Sequence, residues 1–218
     1  RYIEPALFCE KLAEAVEKRG GTITTGAEVV DVVSTNKPAV KLATGEWLPT
    51  DTVVIATGAW MPKLSKKLGV KTLVQAGRGY SFTVETDQPA THSVYLPHTR
   101  VACTPVPSKG RFQIAGTMEF RGPDEPFQPA RVDSIINVTK PLFSGVDWDS
   151  IEDRWVGSRP VTPDGLPLVG ATQVPNVYTC GGHGMWGVVL GPISGKMLAK
   201  QIATGEVDDV IKPFDPLR

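Results

Sequence analysis

The chain has 218 residues, enough for one large domain or two small ones with a sizeable core. Its hydrophobic content of 41% and charged content of 21% are ordinary for a globular protein, and 23 lysines and arginines balance 23 aspartates and glutamates. That balance leaves no long-range field to select nucleic acid, and no apolar run approaches the length that spans a bilayer. Cys9, Cys103 and Cys180 are odd in number and widely scattered, without metal-ligand or redox spacing, which fits a reducing compartment. The sequence opens on Arg1 and enters a helix almost directly, with no signal-peptide pattern, so an N-terminal portion is expected to have been removed.

Pro5 suits the first turn of a helix that carries Ala6, Leu7, Leu12, Ala13 and Val16 at helical spacing and ends at Gly20-Gly21. Residues 22–25 and 28–34 read as strands, rich in branched side chains. Residues 40–42 and 46–48 flank Ala43-Thr44-Gly45 as a hairpin. The run 52–56 is continuously apolar, the pattern of a strand buried on both faces, and leads through Thr57-Gly58-Ala59-Trp60 into a short helix over 62–68.

From Gln75 to about Asp153 proline becomes frequent (Pro89, Pro97, Pro105, Pro107, Pro123, Pro126, Pro129 and Pro141). Short alternating strands are predicted over 80–85, 93–96, 101–106 and 112–117, with a helix over 132–143. This reads as an antiparallel-sheet domain inserted into the first. From Trp155 the chain returns to the first domain through a stretch, 156–170, too irregular to predict as a regular element. It combines Arg159, three prolines and a tight Pro163-Asp164-Gly165 turn, which can hold an arginine in one place.

The C-terminal part is the most informative. Residues 176–180 read as a short buried strand, four glycines then fall within 181–187, and an apolar helix over 188–202 follows. Strand, glycine turn, helix aims backbone N–H groups and a positive helix end at an electron-rich ligand. Gly182, Gly184 and Gly187 satisfy G-x-G-x-x-G, but a dinucleotide fingerprint also needs an acidic residue about 20 positions on, after a second strand. Glu206 stands at that distance in a polar stretch with no clear strand. The turn is therefore expected to face a cofactor without being the pyrophosphate loop; a ligand-free glycine connection is the bland alternative.

Arg159-Pro160, residues 162–167 and the turn 182–187, in that order and spacing, resemble the FAD-dependent D-amino-acid oxidase superfamily, and most of all its D-amino-acid dehydrogenases and glycine oxidases. Glu4-Pro5, residues 26–29 and residues 54–60 are similar to the family's middle portion, and Gly79-Tyr80-Ser81 resembles the entry to its substrate domain. The strand, G-x-G-x-x-G and helix that open family members have no counterpart, so the chain resembles the C-terminal half. The fold implied is α/β (α+β): a partial Rossmann-like FAD-binding domain, residues 1–74 and 154–218, with an inserted antiparallel-sheet substrate domain, residues 75–153.

The resemblance implies oxidative deamination of a D-amino acid: hydride passes from Cα to flavin N5, and the imine is hydrolysed to a keto acid and ammonia. FAD is implied for the intact parent, and the chain alone is expected to be inactive. Glycine/sarcosine-type amine oxidation and a non-catalytic module without FAD are the alternatives. Arg159 takes the catalytic and carboxylate-binding role, since a guanidinium offers a permanently charged fork; an arginine bonded to loop carbonyls is the bland reading. Tyr80, Tyr95 and His98 are candidates for the substrate cavity, or else cross-strand surface pairs. Cofactor contacts are implied at Val29, Ala56, Thr57, Gly58, Trp60, Gly182, His183, Gly184, Met185, Trp186 and Gly187, with His183 structural or cofactor-contacting rather than a base. Partners implied are a small amino acid or amine, an N-terminal half, and oxygen or quinone as electron acceptor, with no nucleic acid. The expected location is cytoplasmic, with peripheral attachment at the inner membrane as the alternative.

Overall fold

A computed structural model describes residues 3–34, 37–88 and 91–218; Arg1 and Pro89, noted above, lie outside them. In chain order the elements are helix α1 (Pro5–Glu17), strands β1 (Val29–Ser34), β2 (Pro38–Leu42), β3 (Trp47–Pro49) and β4 (Val53–Ile55), and helix α2 (Met61–Ser65). Then come β5 (Gln75–Thr86), β6 (Val94–Leu96), β7 (Val101–Val106), β8 (Arg111–Phe120), α3 (Pro129–Thr139), β9 (Val146–Val161), β10 (Leu168–Ala171), β11 (Val177–Gly181) and α4 (Gly187–Thr204). The chain divides into two compact units, Arg1–Val16 with Gly77–Ser158, and Glu17–Ala76 with Arg159–Arg218.

The first unit is built on a five-stranded sheet in the order β6-β7-β8-β5-β9. Along β7, burial alternates with the pleat, and Val101 and Cys103 turn inward. Pro105 is tolerated in this strand because β6 pairs only with Val101–Cys103, so the missing N–H falls beyond its reach. The core joins Tyr80, Phe82 and Val84 to Val101, Cys103, Phe112 and Ile114, with Val132 and Ile135 of α3 laid over them. Gly116 permits that approach, since a Cβ there would lie 3.2 Å from both Ile135 and Val101 side-chain carbons. Desolvation in this core pushes the Cys103 thiol up to about 11. The expected division placed residues 1–74 with 154–218; α1 through Val16 instead groups here, where the Glu4 carboxylate accepts from the Ser108 N–H and hydroxyl.

The second unit holds a hairpin sheet, β1-β2-β3, and a second sheet ordered β10-β11-β4. In the latter, β10 and β11 are antiparallel whereas β11 and β4 are parallel, with Val53 beside Val177 and Ile55 beside Thr179. Val53, Ile55, Met61, Leu64, Leu68, Leu168 and Val177 share one core. Helix α4 buries Ser194, Leu198 and Gln201, spaced one and two turns apart, and Leu198 packs with Val169 and Ile211.

Three expectations need correction. The stretch 156–161 is regular: it is the end of the long edge strand β9. Its apolar alternation is faint because the strand is mostly half-exposed, and Pro160 is allowed at a sheet edge. Residues 168–171 of the same stretch are β10, which pairs with β11. β4 is not buried on both faces, because Val54 is 42% exposed at the edge of its sheet. Residues 22–25 form no strand in this structure.

Candidate functional site

Parallel pairing of β4 and β11 makes both strands end at the same side of their sheet, the position where open α/β sheets bind ligands. The segment 56–60 leaves β4 there, and the glycine turn leaves β11 there. Contact between them is close. A Cβ on Gly181 would meet the Met61 methyl at 2.4 Å, so glycine lets α2 lie against the turn. Ala56, Thr57 and Trp60 are exposed and Gly58 half-buried.

The turn itself is fixed from two directions. Gly182 has φ +74°, and a Cβ there would lie 3.1 Å from the Thr162 methyl and 3.3 Å from the Leu168 nitrogen. His183 is buried, and its Nε2 lies 2.9 Å from the Ser194 hydroxyl one-third of the way down α4. Burial holds the His183 pKa below the ordinary histidine range, so the ring is neutral near pH 7. Gly184 takes φ +54°, and the Trp186 N–H donates to the His183 carbonyl at 2.9 Å. Helix α4 then starts at Gly187, directly after a 3-10 turn over residues 184–186, and no side chain among the described residues caps its positive end. Met185 and Trp186 stand beside it 67% and 60% exposed.

Arg159 lies near the end of β9, three residues before Thr162 and in the same unit as the turn. Its Nη1 is buried and has no hydrogen-bond partner among the described residues, and desolvation lowers its pKa. The loop after it is rigid. The Thr162 hydroxyl donates to Leu166 O at 2.8 Å, the Leu166 N–H donates to Asp164 Oδ1 at 3.0 Å, and Gly165 takes φ +73°. Arg218 then clamps Asp164 through Nε–Oδ2 at 2.8 Å and Nη2–Oδ1 at 3.1 Å, and also donates to Leu166 O and Pro167 O.

Residues 56–60, 182–187 and the 159–168 segment are thus parts of one unit. Val29 lies half-buried in β1 of that unit, opposite Leu42. Tyr80, Tyr95 and His98 lie in the other unit. Tyr80 is fully buried, and its hydroxyl donates to Glu119 at 2.5 Å. Tyr95 is 60% exposed on β6, and His98 is exposed in the turn that follows. Glu206 follows the helix-ending Gly205, is exposed and pairs with Lys200 at 3.6 Å; no strand comes after it.

Sequence reading missed Thr162, Ser194 and Arg218 as supports. Thr162 sits within the quoted motif, but nothing in the sequence signals that Ser194 and Arg218 fold back on His183 and Asp164.

This geometry fits part of a flavin nucleotide and not all of it. The uncapped start of α4 and the glycine turn suit the electron-rich edge of a flat heterocycle, and the unpartnered Arg159 Nη1 suits a carboxylate. Among the described residues no strand–G-x-G-x-x-G–helix–strand unit is present to hold a pyrophosphate and ribose.

Comparison with known proteins agrees with this division. The family model described as FAD dependent oxidoreductase (DAO) matches residues 1–201. The chain is 36% identical over 205 residues to D-amino acid dehydrogenase of Vibrio vulnificus strain CMCP6, covering 92% of this chain and 48% of that protein. Among solved structures, glycine oxidase from Geobacillus kaustophilus superposes with a TM-score of 0.83 at 24% identity, over 95% of this chain and 56% of that one. Glycine oxidase from Bacillus cereus ATCC 14579 gives 0.79 at 25% identity, over 93% and 56%. The chain spans about half the length of the curated relatives it matches. On the match to 201 of its 218 residues, this chain belongs to the FAD-dependent oxidoreductase (DAO) family.

Proposed function

We propose that the chain is the flavin-ring and carboxylate-binding part of an enzyme that oxidatively deaminates D-amino acids. One observation carries this reading: a buried, unpartnered guanidinium nitrogen on Arg159, in the same unit as the 181–187 turn. Arg159 binds the substrate carboxylate, and the rigid 162–167 loop keeps it in place. The turn and the start of α4 would hold the flavin ring and offer positive backbone charge to its electron-rich edge. His183, neutral and bonded to Ser194, holds the turn and takes no proton from substrate. FAD, when bound, supplies the acceptor for the hydride that leaves Cα. The amine reacts in its neutral form, its proton having gone to solvent. The nitrogen lone pair forms the C=N bond as the C–H bond breaks, and after loss of the iminium proton to solvent, water converts the imine to keto acid and ammonia.

A second region of polypeptide, N-terminal in sequence, completes the enzyme. Support comes from the open edge of β4, from exposed Val54, Met185, Trp186 and Val189, and from relatives about twice as long. That region supplies the ADP-binding loop. The free thiols of Cys9, Cys103 and Cys180 support a cytoplasmic location, with attachment at the inner membrane where quinone is the acceptor.

The test is an absorption spectrum of the chain with FAD, alone and mixed with the N-terminal half of the Vibrio vulnificus relative. The chain alone is expected to stay colourless and the mixture to turn yellow and bleach anaerobically with D-alanine. Bleaching with glycine or sarcosine alone would shift the reading to an amine oxidase. A mixture that never binds flavin would leave a non-catalytic module. Reoxidation by oxygen against a soluble quinone identifies the acceptor.

A further inference from the structure

In the first unit, Arg78 occupies a position that the strand pattern reserves for an apolar side chain. It lies two residues before Tyr80 on β5 and shares a face with Tyr80, Phe82 and Val84. The residue is 0% exposed. Its Nη2 donates to Pro126 O at 3.1 Å, whereas Nε and Nη1 have no hydrogen-bond partner among the described residues.

Glu119 is its register partner across the sheet, yet the carboxylate is committed elsewhere. Tyr80 Oη donates to Glu119 Oε1 at 2.5 Å and Arg131 Nε to Oε2 at 2.9 Å. The Arg78 Nε lies 4.0 Å from Oε1, too far for a hydrogen bond. The cluster therefore holds one carboxylate shared between a half-exposed Arg131 and a fully buried Arg78, with the hydrogen bonds going to Arg131 and Tyr80. The unpaired Arg78 nitrogens are buried polar groups, and leaving them so costs free energy.

The local backbone is built to bring these groups together. A bulge shifts the register between Arg78 and Tyr80, opposite Thr117, which adopts φ +66°. Without it, Arg78 and Glu119 would not stand opposite each other while Tyr80 keeps its place against Gly116. One aromatic ring lies over the guanidinium: the Tyr80 centroid is 5.9 Å from Arg78 Cζ, and the Phe127 ring packs against Tyr80 at 5.5 Å. The cover is the irregular segment 121–128, joined to Arg78 through the Pro126 carbonyl, so a ligand enters by displacing loop rather than sheet.

We propose that Arg78 is the anchor of an anion-binding site in this unit, separate from Arg159, whose ligand presents a carboxylate or comparable oxyanion next to an apolar or aromatic group. Glu119, Tyr80 and Arg131 position the guanidinium and its surroundings rather than satisfy it.

The test titrates the full chain with benzoate, acetate and sulfate at constant ionic strength set by chloride, read by calorimetry and by the thermal midpoint. Benzoate is expected to raise the midpoint saturably and more strongly than acetate. R78M should weaken the Arg78-dependent phase of benzoate binding about thirtyfold or more, while R159M should remove only a separate phase that Arg159 itself contributes. R78K, which keeps the charge but loses the planar fork, should weaken it about tenfold, and decides the matter if R78M does not fold. A sulfate response stronger than benzoate would make the ligand an inorganic oxyanion at the same residue. The proposal is overturned if chloride alone reproduces the shift, if no probe binds, or if the R78M or R78K titration superimposes on wild type. Binding lost in R159M and kept in R78M would overturn it while leaving the proposed role of Arg159 standing; the converse would separate the two in the other direction.

Discussion

Asp164 and Arg218, 54 positions apart in sequence, meet in a two-point ion pair that closes the Pro-Asp-Gly turn immediately after the arginine strand. Arg218 also donates to the carbonyls of Leu166, Pro167 and Asp215, so its guanidinium organises the loop as well as one carboxylate. The Arg218 side chain holds the Asp164 carboxyl well below the usual carboxylate range.

Arg218→Ala is expected to cost about 1 kcal/mol, because the Asp164 side chain is 43% exposed and water screens part of the pair. That corresponds to a midpoint lower by about 2–4 °C in a thermal melt. The sign with pH follows from a depressed folded-state pKa. The contribution is present above the unfolded aspartate value, about 3.9, and disappears as pH falls below it. Asp164→Asn should flatten the stability profile below about pH 4. A wild-type profile retained in this variant would show that the pair does not stabilise the loop.

The His183–Ser194 pair gives a second, separate pH dependence. Burial lowers the folded-state pKa of His183, so below about pH 6.5 the unfolded chain binds a proton that the folded chain refuses. Stability therefore rises with pH through this window and is lost on acidification, by at most about 1.4 kcal/mol per pH unit. Urea melts between pH 5 and 8 should show this slope. His183→Gln should reduce the slope, and Ser194→Ala should lower stability at pH 7.5 by about 1 kcal/mol. An unchanged slope in the glutamine variant would assign it to another group.

Gly182 and Gly184 both take positive φ, but only Gly182 is crowded. An alanine at Gly184 should cost about 1 kcal/mol for the left-handed backbone alone. An alanine at Gly182 adds contact with the Leu168 nitrogen, a backbone atom that cannot swing aside, so its cost should reach about 2–3 kcal/mol. Chemical denaturation of the two variants side by side measures the difference. Equal losses would mean that the turn relaxes away from Leu168.

Arg159 is expected to trade stability for binding. Arg159→Met removes a guanidinium whose buried Nη1 has no partner among the described residues, so the chain alone should be as stable as wild type or more stable by about 1 kcal/mol. In the completed enzyme the same variant should raise KM for a D-amino acid about a hundredfold while leaving the flavin spectrum unchanged. Loss of stability with an unaltered KM would make Arg159 a purely structural arginine.

Much of the second unit was legible because glycine and proline act locally. The strand, turn and helix at 177–204 follow from glycines at positions where a side chain would collide or strain the backbone, and those constraints are written in residue type. The alternation in β7 and the hairpin at 38–49 are equally local. β9 was not legible over 156–161, because an edge strand needs no apolar alternation and is defined by its neighbour β5. Nor was Arg78, although an arginine in line with Tyr80, Phe82 and Val84 was a visible break in pattern. Its meaning depends on Glu119, 41 positions later, already being claimed by Tyr80 and Arg131.

Sequence by itself determined the family, the kind of turn at 181–187 and the candidate carboxylate partner, since these rest on residue identity and short spacing. Tertiary structure alone decided that β4 and β11 end side by side, that Ser194 meets His183, that Arg218 clamps Asp164 and that, among the described residues, Arg78 and Arg159 keep unpaired nitrogens. The physical reason is that a hydrogen bond or a buried charge is satisfied by whatever group lies within about 3 Å, and chain folding, not sequence separation, sets that distance.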